Sequence, residues 1–286
     1  MLNNQIISLV GLGKMGLGIY NRLYNENINI HGYDINHDII KNNTHINFLE
    51  IDKILELSDL VLFTVPSNDE IFNIVKRNTI KKNSIFLDLT TSMPDQTIKI
   101  KNHLNNKNVK YFDAAMSGGA NGAKNGTLTL MIGAKESELS EYKFVLNLIS
   151  NNIFFYGLVG SGHAMKLLHN SVCHGIFLMM CEIGQLGDEM GINLNDLIET
   201  FNVSNARSFI SENRFPNHIL TNKFDGNSYL KNLKKDLSMV EKLSNKNNSS
   251  NHYIQLTNSL LKKFDKNFDN HDFTEIYKLW QGKIKK

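Results

Sequence analysis

Cysteine is nearly absent from this 286-residue chain: only Cys173 and Cys181 occur. On the helix read there below, they lie about 12 Å apart along its axis. That is too far for a disulfide, and a reducing cytoplasm is the compartment expected. Strong charge of one sign is missing too. The formal net charge is +3, and no basic block interleaves with aromatics, so no nucleic-acid partner is expected. No apolar run approaches a membrane span, and the longest stretch, near residues 176–181, is far short of one. The N-terminus lacks a basic region and a cleavage site, so residues 6–12 read as a buried strand and not a signal peptide. Internal repeats are also lacking. What remains is ordinary globular composition, 41% hydrophobic and 21% charged, in a chain long enough for one large or two ordinary domains.

From residue 5 to about 156, short β-rich runs alternate with helical patterns. Strands are expected at residues 5–10, 28–33, 59–65, 84–89, 109–112, 127–133 and 152–156. Helices are expected at 15–25, 70–77, 94–104 and 136–148. This alternation predicts an α/β domain over residues 1–158, a Rossmann-type doubly wound sheet, mostly parallel, with helices on both faces. Strand signals stop beyond the glycine-rich segment 157–162. Helical patterns follow at 163–190, 194–202, 229–244, 252–266 and 272–283, so residues 159–286 read as an all-α domain that shapes a substrate pocket and a dimer surface.

The most informative segment is Gly11-Leu12-Gly13-Lys14-Met15-Gly16, between the first expected strand and the first expected helix. In this context G-x-G-x-x-G is a dinucleotide site. Gly11 allows the tight turn, Gly13 lets a pyrophosphate approach the backbone, and Gly16 lets helix and strand pack closely. The helix N-terminus offers N–H groups and a partial positive charge. Asp34 ends the second expected strand, where a carboxylate reaches the adenosine ribose hydroxyls and repels a 2′-phosphate. Ile35 and Asn36 follow, with no base before His37. NAD(H) is therefore expected over NADP(H).

Three further segments carry chemistry. Residues 113–123, dense in glycine and alanine around Ser117, Gly118 and Gly119, suit an anion-binding nest or, more plainly, a turn between strands. Residues 88–94 place Thr90, Thr91 and Ser92 at a strand end before Pro94. Ser92 or Thr91 suits a helix N-cap, and the strand end suits contact with the nicotinamide end of a cofactor. Lys166 and Asn170, four apart, share a helix face; the plainer reading of that spacing is an exposed helix lysine, and the chemical one is a partly desolvated lysine that donates a proton to a developing alkoxide. His163, His169 and His174 are spaced by six and five, which does not stack three metal ligands on one face, so no metal is expected.

Taken together, these motifs resemble the β-hydroxyacid dehydrogenase family over nearly the whole chain. The resemblance rests on residues 11–16, Thr64-Val65-Pro66, residues 88–94, residues 113–119 with 122–123 and 126–128, and Gly160-Ser161-Gly162 followed by Lys166 and Asn170. Lys235-Asp236-Leu237 and Asp272-Phe273-Thr274 complete it. It implies Lys166 as general acid/base and Asn170 as its substrate-orienting partner. It also implies Ser117, Gly118 and Gly119, with Thr91, around a small anionic hydroxyacid or semialdehyde. Val65, Pro66 and Thr91 line the cofactor, with Lys235 at its nicotinamide end. Ala115 stands where the family usually has Pro, and His169 where it has a second Asn. The activity implied is hydride transfer between NAD(H) and a short β-hydroxyacid/semialdehyde pair, in a homodimer or homotetramer. The alternatives are an imine reductase-like NADPH enzyme, against which Lys166 and Asp34 both argue, and a non-catalytic nucleotide-binding protein.

Overall fold

The computed structural model describes residues 5–77 and 79–284, the side chains of residues 281–284 excepted. The chain divides into two compact units, Met1–Lys166 and Leu167–Lys286.

The first unit is built on strands β1 (Ile7–Val10), β2 (Ile30–Tyr33), β3 (Leu60–Phe63), β4 (Ile85–Asp88), β5 (Lys110–Ser117), β6 (Leu128–Ile132) and β7 (Ser150–Phe155). Its helices are α1 (Lys14–Asn25), α2 (His37–Asn42), α3 (Ile51–Leu57), α4 (Asn68–Arg77), α5 (Pro94–Asn105), α6 (Gly119–Asn125) and α7 (Lys143–Ile149). The strands form one sheet in the order β2-β1-β3-β4-β5-β6-β7. Pairing is parallel throughout except between β5 and β6.

Alternation along the strands shows why both faces are covered. Leu60 and Leu62 of β3 pack in a cluster with Ile19, Tyr20 and Leu23 of α1 and with Val145 and Leu146 of α7. Val61 and Phe63 turn the other way, into a cluster with Ile54, Ile71, Ile100 and Leu104 of α3, α4 and α5. A strand buried on both faces needs apolar residues at every position, which is why β3 reads Leu-Val-Leu-Phe without a polar break. Ser8 in β1 meets the same constraint by hydrogen bonding Ser58 at 2.7 Å.

Several local expectations need correction. The strand expected to stop at residue 112 runs on to Ser117, and residues 113–123 are not a turn. Asp88 pairs in parallel with Asp113, and Ala114 to Ser117 then pair antiparallel with β6. The remainder of that segment is α6, with Gly118 as its N-cap. Residues 136–148, expected as one helix, form two 3₁₀ turns and then α7. Neither Thr91 nor Ser92 caps α5. Its N-cap is Met93, with Pro94 in the first helical turn.

The second unit holds α8 (Ser161–Glu189) from Leu167 onward, α9 (Leu194–Asn202), a π-helical segment (Ile210–Ile219), α10 (Leu230–Lys246), α11 (His252–Lys262) and α12 (Ile276–Ile284). Its core gathers Phe177, Cys181, Phe215, Leu237, Phe264, Phe273 and Trp280. The stripe on α10 faces that core: Leu230, Leu233, Leu237 and Val240 are buried. Asp272 ties the start of the last helical stretch to the chain before α10. It accepts hydrogen bonds from the backbone N–H groups of Gly226, Asn227 and Thr274 and from the Thr274 hydroxyl. Neither cysteine is joined in a disulfide.

Candidate active site

The glycine-rich turn is shaped by contacts that leave no room for side chains at two positions and ample room at a third. Gly11 has φ +95°, and a Cβ there meets the Thr64 carbonyl group at 2.9 Å. A Cβ on Gly16 falls 1.9 Å from the Gly11 carbonyl oxygen, so only glycine lets α1 start so close to β1. A Cβ on Gly13 meets nothing within 4 Å. Gly13 is the N-cap of α1, makes no side-chain cap bond, and no acidic residue stands in the first turn. The first N–H groups of a helix are not used within it, and Gly13, Lys14 and Met15 form that first turn of α1 at the end of β1. Asp34 sits alongside, its carboxylate accepting from the backbone N–H of Leu12 at 2.6 Å and of Asn36 at 2.8 Å. This fastens the end of β2 to the glycine turn and aims an anionic group beside it.

The other expected residues of the first unit follow the carboxyl ends of neighbouring parallel strands. Val65 and Pro66 follow β3, Thr91 follows β4, and Gly118 and Gly119 follow Ser117 at the end of β5. In such sheets this is the ligand-binding edge, and β1 lies between β2 and β3, where the strand order reverses. Gly118 and Gly119 both adopt positive φ, +128° and +64°, and stand exposed. Behind these ends lies a buried acidic network. Asp88 accepts from the Tyr111 hydroxyl at 2.5 Å, Asn68 Nδ2 at 2.9 Å and the Thr90 N–H at 2.9 Å. Burial and the adjacent Asp88 hold the Tyr111 phenol well above its ordinary pKa, so it stays a hydrogen-bond donor. Asp113, fully buried, accepts from the N–H of Gly160 at 2.6 Å and of His163 at 2.7 Å. It is the carboxylate at the N-terminus of α8. His163 Nδ1 and Thr97 Oγ1 hydrogen bond at 2.7 Å.

Lys166 and Asn170 stand one turn apart on α8, both largely buried. The Asn170 amide is gripped on two sides. Its Nδ2 donates to Asp236 Oδ2 at 2.7 Å, and its Oδ1 lies 2.9 Å from His169 Nδ1. A carboxylate only accepts, so Asp236 fixes which way the amide points, and His169 Nδ1 is then the donor. Lys235 is half-exposed on α10 in the second unit, its ammonium 3.9 Å from Asp236 Oδ1. Its neighbour Lys234 is bound to Asp269 and the Phe264 carbonyl. The roles of Asp113 and Asp236 escaped the sequence reading. Both lay inside quoted motifs, but their partners are 50 and 66 residues away. Among the described residues, no group of three or more His, Cys, Asp or Glu is placed to hold a metal ion. None of the described helices is long and apolar enough to cross a membrane.

Comparison with known families agrees with this layout. Residues 6–157 match the NAD-binding domain of 6-phosphogluconate dehydrogenase, and residues 160–280 match the NAD-binding model of NADP-dependent 3-hydroxyisobutyrate dehydrogenase. The chain belongs to the β-hydroxyacid dehydrogenase family. It is 27% identical to the mitochondrial 3-hydroxyisobutyrate dehydrogenase of Drosophila melanogaster, over 96% of this chain and 88% of that one. It is 25% identical to the 2-(hydroxymethyl)glutarate dehydrogenase of Eubacterium barkeri, over 82% and 80%. Its fold matches a solved Mycobacterium tuberculosis 3-hydroxyisobutyrate dehydrogenase with L-serine at a TM-score of 0.89 and 18% identity, covering 97% of this chain and 99% of that one. The protein is thus an NAD(P)-dependent oxidoreductase of the hydroxyacid dehydrogenase type.

Proposed function

We propose that the protein interconverts a short β-hydroxyacid and its semialdehyde with NAD(H), using Lys166 as general acid/base. The observation that carries this reading is the pairing of Lys166 and Asn170, both largely buried one turn apart on α8, with the Asn170 amide held in one orientation by Asp236. An exposed surface lysine needs no such neighbour. The Gly13 position, where a Cβ meets nothing, and a glycine N-cap without a side-chain cap bond fit a dinucleotide pyrophosphate at the start of α1. Residues 11–16 hold it, Asp34 takes the ribose hydroxyls, and Val65, Pro66 and Thr91 line the far end. When bound, the nicotinamide supplies or accepts the hydride.

In the direction of reduction, the Lys166 ammonium donates a proton to the carbonyl oxygen as negative charge builds there. In oxidation the neutral amine takes it back. Asn170 commits one N–H to Asp236 and directs the other at the substrate oxygen. Ser117, Gly118 and Gly119 hold the acid group through the hydroxyl and backbone N–H groups. The preference for NAD(H) is supported by Asp34, whose charge opposes a 2′-phosphate, and by Ile35 and Asn36, which offer it no cation. Leu168, Val172, Met179, Ile183 and Leu186 are all exposed along one stripe of α8, which supports assembly into a homodimer or homotetramer. Two cysteines outside any disulfide fit a reducing cytoplasm.

The test is oxidation of NADH and NADPH, followed by absorbance, against a panel of small acidic semialdehydes, with Lys166→Ala alongside. Turnover is expected with NADH, and the variant should bind NADH normally while losing at least about a hundredfold in kcat. A smaller loss refutes the role of Lys166. Silence with every aldehyde refutes the substrate class.

A further inference from the structure

The arrangement that fixes Asn170 creates an electrostatic problem. Asp236 is 7% exposed, carries a negative charge, and sits one hydrogen bond from the amide that receives an oxygen of an anionic substrate. Left uncancelled, that charge repels the substrate from its own orienting group. Two cations stand close enough to cancel it. Lys235 Nζ lies 3.9 Å from Oδ1, but its side chain is 36% exposed and solvent screens it. His174 Nε2 lies 3.8 Å from Oδ2 on a side chain only 13% exposed, where screening is weaker. The distance exceeds a hydrogen bond but is within reach of charge attraction. Both His174 Nε2 and Asp236 Oδ1 are buried and make no hydrogen bond. His174 stands one turn after Asn170 on α8, so all three groups meet on one side of that helix.

We propose that His174 is a specificity-determining residue: its imidazolium cancels the charge of Asp236 beside Asn170 and thereby admits anionic substrates. This rests on the reading of Asn170 as the substrate-orienting residue. Other groups surround the pair. Cys173 and His169 lie on α8 itself, and Arg214 of the π-helical segment interacts with Cys173 and Asp272, its own pKa lowered by burial. The Tyr253 hydroxyl of α11 lies 3.5 Å from the Gly175 carbonyl oxygen. For His174, burial alone favours the neutral ring, but Asp236 and Cys173 outweigh it, and the net shift is upward from 6.5. The charge is therefore present below 6.5 and is lost as the pH rises through the higher folded-state value. An anion then meets Asp236 without its least-screened counter-charge. KM for an acid rises with pH, and KM for an uncharged aldehyde does not.

The experiment compares the semialdehyde ranked first by the panel with its methyl ester, across pH 6 to 9, in the wild type, His174→Gln and the double variant His174→Gln/Asp236→Asn. His174→Gln should raise KM for the acid about tenfold near neutral pH and flatten its pH dependence, with kcat and the ester's KM little changed. In the double variant, with both charges gone, the ratio of KM for the acid to KM for the ester should return toward the wild-type value, since any loosening of Asn170 affects both substrates alike. A parallel titration by histidine NMR, which needs no substrate, should place the His174 midpoint above 6.5 in the wild type and lower in Asp236→Asn. A midpoint at or below 6.5, a KM for the acid that stays flat with pH in the wild type, or equal KM changes for acid and ester overturns the proposal. Full turnover by Lys166→Ala, or no turnover of any acid, instead refutes the underlying reaction, and the NMR titration still reports whether the charge pair exists.

Discussion

Replacing Asp113 with asparagine tests how the helix carrying Lys166 is anchored. The Asp113 carboxylate divides its two oxygens between the N–H groups of Gly160 and His163, at 2.6 and 2.7 Å, with no exposed surface. An asparagine keeps one acceptor and turns its NH₂ toward the other N–H, which then has no partner. Losing one hydrogen bond to a charged group costs about 1.5–3 kcal/mol, and leaving a buried donor unsatisfied costs about 1–3 kcal/mol more. The loss of negative charge at the helix N-terminus acts in the same direction. A total of about 4 kcal/mol corresponds to a fall on the order of 10 °C in the melting temperature of a unit this size. Differential scanning calorimetry reads that shift directly, and circular dichroism at low temperature confirms that the variant has folded. The surroundings allow little relaxation. A Cβ on Gly162 lies 2.2 Å from the Met131 carbonyl oxygen, and one on Gly133 lies 2.2 Å from Asp113 Oδ1. If Asp113→Asn melts within about 2 °C of the wild type, the carboxylate is not the anchor this reasoning makes it.

Three further outcomes follow from the geometry. Gly13→Ala should melt like the wild type yet bind NADH at least about tenfold more weakly. Gly16→Ala, whose Cβ falls 1.9 Å from the Gly11 carbonyl oxygen, should lose stability outright; calorimetry and fluorescence titration separate the two. Asp34→Ser with Ile35→Arg should move the ratio of kcat/KM for NADH over NADPH toward NADPH by about tenfold or more, and an unchanged ratio contradicts the role given to Asp34. Leu186→Lys with Met179→Lys places charge on the exposed stripe of α8 and should shift sedimentation to a smaller species with kcat per chain measured alongside; an unchanged sedimentation coefficient removes that stripe as the contact.

The central strands β1, β3 and β4 were legible because parallel strands buried on both faces read as nearly unbroken runs of Ile, Val, Leu and Phe, a pattern few other structures tolerate. The second half of β5 was not. Ala114 and Ala115 carry no strand preference of their own, and their place is set by pairing with Met131 and Ile132 of β6. Helix α6 was hidden for the same reason, since Gly119-Ala120-Asn121-Gly122 reads as a turn until packing overrides it. The π-helical segment carries Pro216, which argues against any helix, and its wider turns accommodate that residue. The glycine turn, Asp34 and the Lys166–Asn170 pair were readable because each depends on local spacing. The grip of Asp236 on Asn170 and the approach of His174 to Asp236 join residues more than sixty positions apart, and no local pattern encodes them.

The two-sided strand β5 also bears on how the first unit assembles. Its first half completes pairing with β4 only after the chain has travelled out through α5 and back. Its second half meets β6 across a single short helix, so Ser117 reaches Thr129 at a much smaller loop-closure cost. Local closures form fast and distant ones slowly. The β5–α6–β6 segment is therefore the piece able to form early, and once formed it presents Lys110–Asp113 as a ready edge onto which β4, β3 and β1 add in turn.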